Sequence, residues 1–187
     1  MLKPAIAAFI TILSTATTHA DELSDVVGRY RVLSSSHIHF SVAQAGGASI
    51  EGEFRQFKGV FQIDKTIGRS KVEFSLQPAS VAAADPRIEE FIKSEPVFDV
   101  ANHPTVSFRS TGVTRTNGNS ASIEGQLSAK GVTRPTKFAI TFKGQQGKTL
   151  KFHVTGKLSR AMFNMDVGTP IYSNMVVLDM DLVGQKM

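Results

Sequence analysis

Apolar and polar residues alternate with a period of two through most of the chain after residue 30. In one such stretch, polar residues separate Ile38, Phe40 and Val42, and roughly nine stretches of this kind follow one another. This pattern is typical of β-strands with one buried and one solvent-facing side. Gly-Gly at residues 46–47 and Asn-Gly at residues 117–118 are turn signals, so we expect short connections between antiparallel neighbours.

Two architectures can bury one apolar face per strand, namely two packed sheets or one sheet closed on itself. Gly52, Gly125 and Gly156 lie on the apolar face within their strands, where glycine permits bending or leaves space beside a ligand. Together with the many inward phenylalanines, these glycines favour the barrel. We therefore predict a mainly β protein, an extended antiparallel barrel of about eight strands.

One segment departs from the alternation. Residues 86–93 place Ile88, Phe91 and Ile92 at i, i+3 and i+4, the spacing of an apolar helix face. We predict a short helix there, lying across one end of the barrel. We expect it to close that end structurally and to act partly as a lid for a ligand.

The first twenty residues differ in kind from the rest. Lys3 precedes an apolar run at residues 5–13, and small residues end this segment at Ala20. This is the organisation of a secretory signal peptide, and the apolar run is too short to span a bilayer. We therefore predict a signal peptide over residues 1–20 and a single domain over residues 21–187.

Composition and charge exclude several functions. The chain contains no cysteine, which removes thiol catalysis and most structural zinc sites. The formal net charge is +5, but the basic residues are dispersed, so we predict no nucleic-acid partner. His37 and His39 share one face of a strand; because that face is predicted to point outward, we interpret them as a solvated pair and predict no metal. No catalytic residues are predicted.

The chain resembles the YceI-like family of polyisoprenoid-binding proteins. Five stretches carry the resemblance, in this order: GEFRQFKGVFQID at residues 52–64, RIEEFIKSEPVFDVANHPTVSFRST at 87–111, EGQLSAKGVTRPTKFAITF at 124–142, LSRAMFNM at 158–165 and IYSNMVVLDMDLVG at 171–184. The resemblance implies a lipocalin-like barrel whose apolar pore holds an isoprenoid-tailed lipid, of the polyprenyl or isoprenoid-quinone type. It also implies a periplasmic location, in agreement with the predicted signal peptide. The implied role is transport, storage or sensing of the lipid.

Strand parity supplies the candidate pore-lining residues. The residues predicted to bind the lipid are Phe40, Val42, Phe54, Phe61, Phe74, Leu76, Phe91, Phe108, Leu127, Ile140, Phe152, Met162, Phe163 and Met165. No cofactor is expected beyond a bound isoprenoid lipid or quinone. The expected partners are an isoprenoid or other amphiphilic lipid, a transient membrane contact and, as an open alternative, a second copy of the chain in a homodimer.

Three positions depart from the family pattern. Phe91 stands where members often have His, and Asn174 where they often have Asp. Around Arg160, in the run RAMFNM, the usual acidic residue is replaced. A plain prenyl chain, or a lipid whose headgroup stays outside, fits these changes as well as a hydrogen-bonded quinone. Two other functions stay open: an enzyme acting on a hydrophobic substrate, and a partner that exchanges quinone with a membrane redox protein.

Overall fold

The computed structural model describes residues 26–187, and the predicted signal peptide lies outside this range. The described residues form eleven strands and one α-helix. In chain order these are β1 (Gly28–Val32), β2 (His37–Gln44), β3 (Ser49–Phe54), β4 (Phe57–Ile63), β5 (Lys71–Leu76), β6 (Val81–Ala83), α1 (Pro86–Lys93), β7 (Val106–Asn117), β8 (Ser120–Ala129), β9 (Val132–Gln146), β10 (Thr149–Ser159) and β11 (Tyr172–Lys186). Among these residues, no helix is long and apolar enough to cross a membrane.

Eight of these strands form a closed antiparallel barrel, in the order β1, β4, β5, β7, β8, β9, β10 and β11. The ring closes because β1 pairs with β4 on one side and with β11 on the other. The alternation of apolar and polar residues therefore places one face of each strand inside the barrel. The predicted fold class, a mainly β barrel of about eight strands with one short helix, is confirmed.

The other three strands lengthen the wall at one end. The last residues of β11 pair with β1, for example Gly184 with Val32, whereas its earlier residues pair with β2 from Tyr172 to Asp181. β3 continues the sheet beyond β2, and β6 pairs with β3 over three residues. Among the described strands, β6 has only this one neighbour. This part of the wall therefore has a free edge.

Helix α1 packs beside that edge. The side chain of Asp85 accepts a hydrogen bond from the backbone N–H of Arg87 (2.9 Å), which caps the first turn, and Pro86 follows directly. Glu89 Oε1 accepts a hydrogen bond from the backbone N–H of Ala83 in β6 (3.0 Å). Ile92 is buried beneath the helix. The helix thus satisfies part of the strand edge that it covers.

Inward glycines make room for phenylalanine rings. A Cβ atom on Gly125 would lie 2.5 Å from Cζ of Phe108, and one on Gly156 would lie 2.5 Å from Cδ1 of Phe138. These two rings meet edge to face with centroids 5.1 Å apart. Rings on neighbouring strands therefore fill the space above these glycines, which packs the barrel core there.

Candidate ligand-binding cavity

The barrel encloses a cavity of about 230 Å³. Its wall combines the inward side chains of most barrel strands with residues of β2, β3 and α1, and it is almost wholly apolar. Three of the lining residues carry polar side-chain atoms, namely Ser107, Arg160 and Tyr172. Several inward residues, such as Leu76 and Leu178, remain only half-buried because their side chains border this cavity. The arrangement suits an apolar ligand that needs few hydrogen bonds.

Most of the residues predicted from strand parity lie in the cavity wall. They are Phe40, Val42, Phe54, Phe74, Leu76, Phe91, Phe108, Leu127, Ile140, Phe163 and Met165. The period-2 pattern brings these side chains together because their strands belong to one closed sheet. Their part in ligand binding stays a prediction.

Phe61 and Phe152 do not line the cavity, although they were predicted to do so. They pack in a second cluster at one end of the barrel, from which we define the aromatic plug as Tyr30, Phe61, Phe142, Leu150 and Phe152. Phe152 also packs against the main core. The Phe61 ring stacks on Tyr30 with centroids 5.1 Å apart and meets the edge of Phe152 at 5.5 Å. Both phenylalanines point inward as expected, but so near the barrel end that they fill it.

The plug also binds the backbone of Val26, through the side chain of Tyr30. The hydroxyl of Tyr30 donates a hydrogen bond to the carbonyl oxygen of Val26 (2.8 Å), and both residues are buried. Burial raises the pKa of the Tyr30 hydroxyl, so it stays a neutral donor. The plug end is therefore packed and satisfied in its hydrogen bonds.

Met162 lies outside the cavity wall, contrary to the prediction. Its side chain is 44 % exposed, whereas the neighbouring Phe163 is buried. Residues Arg160–Phe163 form a short 3₁₀ turn, in which inward and outward positions no longer alternate. Strand parity consequently cannot be extended from β10 into this turn.

The opposite end of the cavity is covered by two connecting segments. We call residues 86–105 and 160–173 together the helix end. Phe91, Val97 and Phe98 of the first segment line the cavity. From the second segment, Val167 and Tyr172 line it, and Tyr172 is also the first residue of β11. Phe98 meets Phe54 edge to face at 5.8 Å. Sequence reasoning missed Val97 and Val167 as lining residues because no periodic pattern marks a connecting segment. It missed Tyr172 because the pairing of β11 with β2 is irregular between Tyr172 and Val176, and the regular alternation starts only at Val176.

Arg160 organises the second segment. Its guanidinium group donates hydrogen bonds to the backbone carbonyls of Ser173 and Val167 (both 2.8 Å), Tyr172 (3.0 Å) and Met165, and to the hydroxyl of Thr169 (3.3 Å). These bonds use all three nitrogens. Partial burial lowers the pKa of Arg160, and the nearby Asp166 opposes that shift. Because its N–H groups bind the protein itself, Arg160 is a structural clamp rather than a free headgroup ligand.

The Tyr172 hydroxyl is the remaining polar group of interest at this end. Tyr172 lines the cavity and its ring lies 6.5 Å from the Phe91 ring, centroid to centroid. No hydrogen bond of this hydroxyl is seen within residues 26–187, whereas the Tyr172 backbone carbonyl accepts from Arg160. The clamp therefore fixes the backbone of a residue whose hydroxyl is available to a ligand.

The fold and its apolar cavity define a lipocalin-like antiparallel barrel. The YceI-like domain matches residues 30–184, and the chain belongs to the YceI-like family. A UPF0312 protein of Azotobacter vinelandii is 35 % identical over 127 residues, covering 67 % of this chain and 64 % of the relative. A UPF0312 protein of Ectopseudomonas mendocina is 31 % identical over 149 residues, covering 78 % of this chain and 75 % of that protein. The chain thus spans just under two thirds of the Azotobacter relative.

Solved structures share the fold. BcnA of Burkholderia cenocepacia superposes with a TM-score of 0.76 at 23 % identity, covering 81 % of this chain and 98 % of BcnA. A polyisoprenoid binding domain from Saccharophagus degradans, implicated in plant cell wall breakdown, superposes with a TM-score of 0.69 at 11 % identity. That match covers 86 % of this chain and 99 % of the domain. At these identities the likeness concerns the fold.

Proposed function

We propose that this protein holds an isoprenoid-tailed lipid in its cavity, for transport, storage or sensing of that lipid. The observation that carries the proposal is the cavity wall, which is apolar except at Ser107, Arg160 and Tyr172. The fold shared with a polyisoprenoid binding domain supports the same ligand class. The ligand is held without a metal or another cofactor in this proposal.

An apolar wall is enough to hold such a tail. Burial of each methylene contributes about 0.8 kcal/mol, so a tail of several prenyl units gains on the order of 10 kcal/mol before ordering costs. The residues that contact the tail are those of the cavity wall, among them Phe74, Phe108 and Ile140. Specificity for the tail then comes from the length and width of the cavity.

We place the headgroup at the helix end. Tyr172 offers its hydroxyl there, whereas Arg160 is occupied by backbone carbonyls. A single hydrogen bond to the headgroup would contribute about 0.5–1.5 kcal/mol, or roughly twofold to tenfold in affinity. A Tyr172→Phe variant should therefore bind a prenyl lipid with a polar headgroup roughly twofold to tenfold more weakly. Its affinity for a bare prenyl hydrocarbon should be unchanged, and an equal loss for both ligands would contradict this placement.

Export of the chain to the periplasm is part of the proposal and is supported by the signal-like pattern of residues 1–20. Lipid exchange would occur in a transient contact with a membrane. Apolar side chains are exposed in or beside the second segment of the helix end: Met162 (44 %), Ile171 (56 %) and Met175 (43 %). Flotation with vesicles should weaken in an Ile171→Ser/Met175→Ser variant. It should persist in Val177→Ser, which changes an exposed apolar residue in the barrel wall.

Other functions gain less support. An enzyme would need convergent titratable groups in the cavity. Among the described lining residues, Arg160 and Tyr172 carry ionisable side chains, and Arg160 is bound to the protein backbone. The exposed residues Met162, Ile171 and Met175 would also suit quinone exchange with a membrane redox protein, and this alternative stays open. A homodimer stays a prediction.

Mass spectrometry of the protein purified from its native compartment tests the proposed ligand class. The intact complex and its organic extract should both contain an isoprenoid, at close to one molecule per chain. A mixture of ordinary fatty acids would instead indicate a permissive cavity. An empty protein that also fails to take up prenyl lipids would contradict the proposal.

A further inference from the structure

The outer face of β2 and β3 carries two imidazoles and a carboxylate close together. His37 and His39 point outward from β2, on the side opposite to the buried Ile38 and Phe40. Glu53 of β3 lies directly across from His39 in the strand register. Its Oε1 atom is 2.9 Å from Nδ1 of His37. Strand pairing thus adds a third ligand, a carboxylate, to the histidine pair that the sequence shows.

The geometry of these three residues fits a metal ion. The two imidazole rings are nearly parallel, with an interplanar angle of 4° and centroids 5.8 Å apart. One ligand atom from each of the three residues lies within 4.8 Å of the other two. A tetrahedral zinc ion with bonds of about 2.0–2.1 Å keeps its ligand atoms about 3.3 Å apart. Small side-chain rotations at this exposed surface would close that difference.

The surrounding charge favours a cation. On the other side of β2, Asp179 lies across from His39 and Asp181 lies across from His37. Both carboxylates also face Nδ1 of His153, at 3.8 Å and 3.0 Å. His39, Glu53 and Asp179 also border a surface depression of about 490 Å³, together with Glu51 and one cation, Arg55. The site is therefore acidic on a chain whose formal net charge is +5. Carboxylates around imidazole ligands orient them and raise metal affinity.

We propose that His37, His39 and Glu53 bind a divalent transition-metal ion of the zinc class. Two imidazoles and one carboxylate match the ligand preference of zinc, and an exposed position leaves the fourth coordination place to water. Magnesium and calcium prefer oxygen ligands alone, so this donor set discriminates against them. On binding, the metal takes the place of the His37–Glu53 hydrogen bond. The lone pair of one nitrogen of each neutral imidazole binds the ion, and each ring keeps its single proton on its other nitrogen.

The metal would connect two strands that lie outside the closed ring of the barrel. β3 is held by β2 and by a three-residue pairing with β6. A metal bound to both strands would stabilise this part of the wall, whose inner face contributes Phe40 and Phe54 to the cavity. Because the three ligands point outward from β2 and β3, the bound metal would not touch a lipid in the cavity.

Calorimetric titration of the untagged, chelator-treated protein with Zn²⁺ tests the site. We expect one ion per chain and no heat with Mg²⁺. His39→Ala and Glu53→Gln should each weaken zinc binding by about tenfold or more. His103→Ala is the matched control, since His103 lies in the segment between α1 and β7, and it should bind zinc like the unchanged protein.

Thermal unfolding separates loss of the site from loss of the fold. Zinc should raise the unfolding midpoint of the unchanged protein and of His103→Ala, but not that of His39→Ala. Without zinc, the midpoints of the unchanged protein and His39→Ala should agree, because His39 is exposed. The absence of zinc binding by the unchanged protein would overturn the proposal. So would zinc binding in His39→Ala and Glu53→Gln that is as strong as in the unchanged protein.

Discussion

At one end of the barrel the aromatic plug fills the space between strands of the closed ring, whereas at the other end a helix and connecting segments cover the cavity. The plug consists of rings in mutual contact, such as Phe142 and Phe152 at 5.4 Å, around the fully buried Leu150. At the helix end, Phe91 and Tyr172 are half-buried and their centroids are 6.5 Å apart. The plug is thus part of the core, and the helix end is a cover.

This difference indicates where a ligand enters. Opening the plug would separate ladder-paired strands and expose several aromatic rings at once. Opening the helix end would move only connecting segments, which are held by the Arg160 clamp and a few side-chain contacts. Segments of this kind open at lower free energy than core strands. We therefore expect the lipid to pass through the helix end.

The largest expected effect comes from removing a ring of the plug. Phe142→Ala should lower the free energy of unfolding by about 3 kcal/mol or more, because it leaves a cavity among buried aromatic side chains. Urea unfolding measures this loss, with the exposed Lys143→Ala as control. Lipid affinity of the folded protein should be unchanged. A clear loss of affinity would show that the tail reaches the plug.

Removing the clamp should have the next largest effect. Arg160→Met leaves the carbonyls of Val167, Tyr172 and Ser173 without their donor, at a cost of about 2–4 kcal/mol. Hydrogen exchange should accelerate over residues 160–173 while the plug stays protected. Arg160→Lys should recover only part of the loss, because lysine cannot span the same set of acceptors. Equal acceleration of hydrogen exchange at the plug and at residues 160–173 in Arg160→Met would contradict the difference between the two ends.

A substitution at the helix end should change the rate of lipid release more than it changes the free energy of unfolding. Phe91→Ala should speed lipid release about tenfold, since the ring borders the cavity beside Tyr172. The unfolding free energy should fall by only about 1–2 kcal/mol because Phe91 is half-buried. Transfer of a fluorescent prenyl lipid to acceptor vesicles measures release. Glu90→Ala, on the exposed side of the same helix, should release lipid at the original rate.

The smallest expected effect concerns the cap of α1 and depends on pH. Hydrogen bonds from the Arg87 side chain and backbone hold the pKa of Asp85 below its ordinary value. Its stabilising contribution is therefore present above about pH 4 and is lost as the pH falls through the lowered pKa. Unfolding measured at pH 7 and pH 3 should show less pH dependence in Asp85→Asn than in the unchanged protein. The same pH dependence in both would contradict this role.

The sequence predicted the parts of the molecule that repeat. Period-2 alternation located inward residues such as Phe40, Phe108 and Ile140, because a strand in a closed sheet has a fixed inner face. The i, i+3, i+4 spacing located α1. Parity could not tell how far along the barrel axis a side chain lies, so Phe61 and Phe152 were assigned to the cavity rather than to the plug.

The rest depends on contacts between distant residues. In the sequence, the segment around Arg160 is visible only as a departure from the family pattern. In the structure, the Arg160 side chain is a clamp that donates hydrogen bonds to backbone carbonyls. Backbone acceptors carry no signal in the sequence. Likewise, Glu53 is fourteen residues from His39 along the chain, and only the pairing of β2 with β3 brings it beside His37 and His39. Short-range patterns cannot reveal such groupings.

The most direct test of the central claim is the position of a bound headgroup between the two barrel ends. The chain has no cysteine, so Glu95→Cys at the helix end and Lys148→Cys near the plug each accept one spin label at an exposed position. Pulsed electron paramagnetic resonance with a prenyl lipid spin-labelled at its headgroup then gives two distances. We predict a short distance from residue 95 and a long one from residue 148. A headgroup nearer to residue 148 would contradict entry through the helix end.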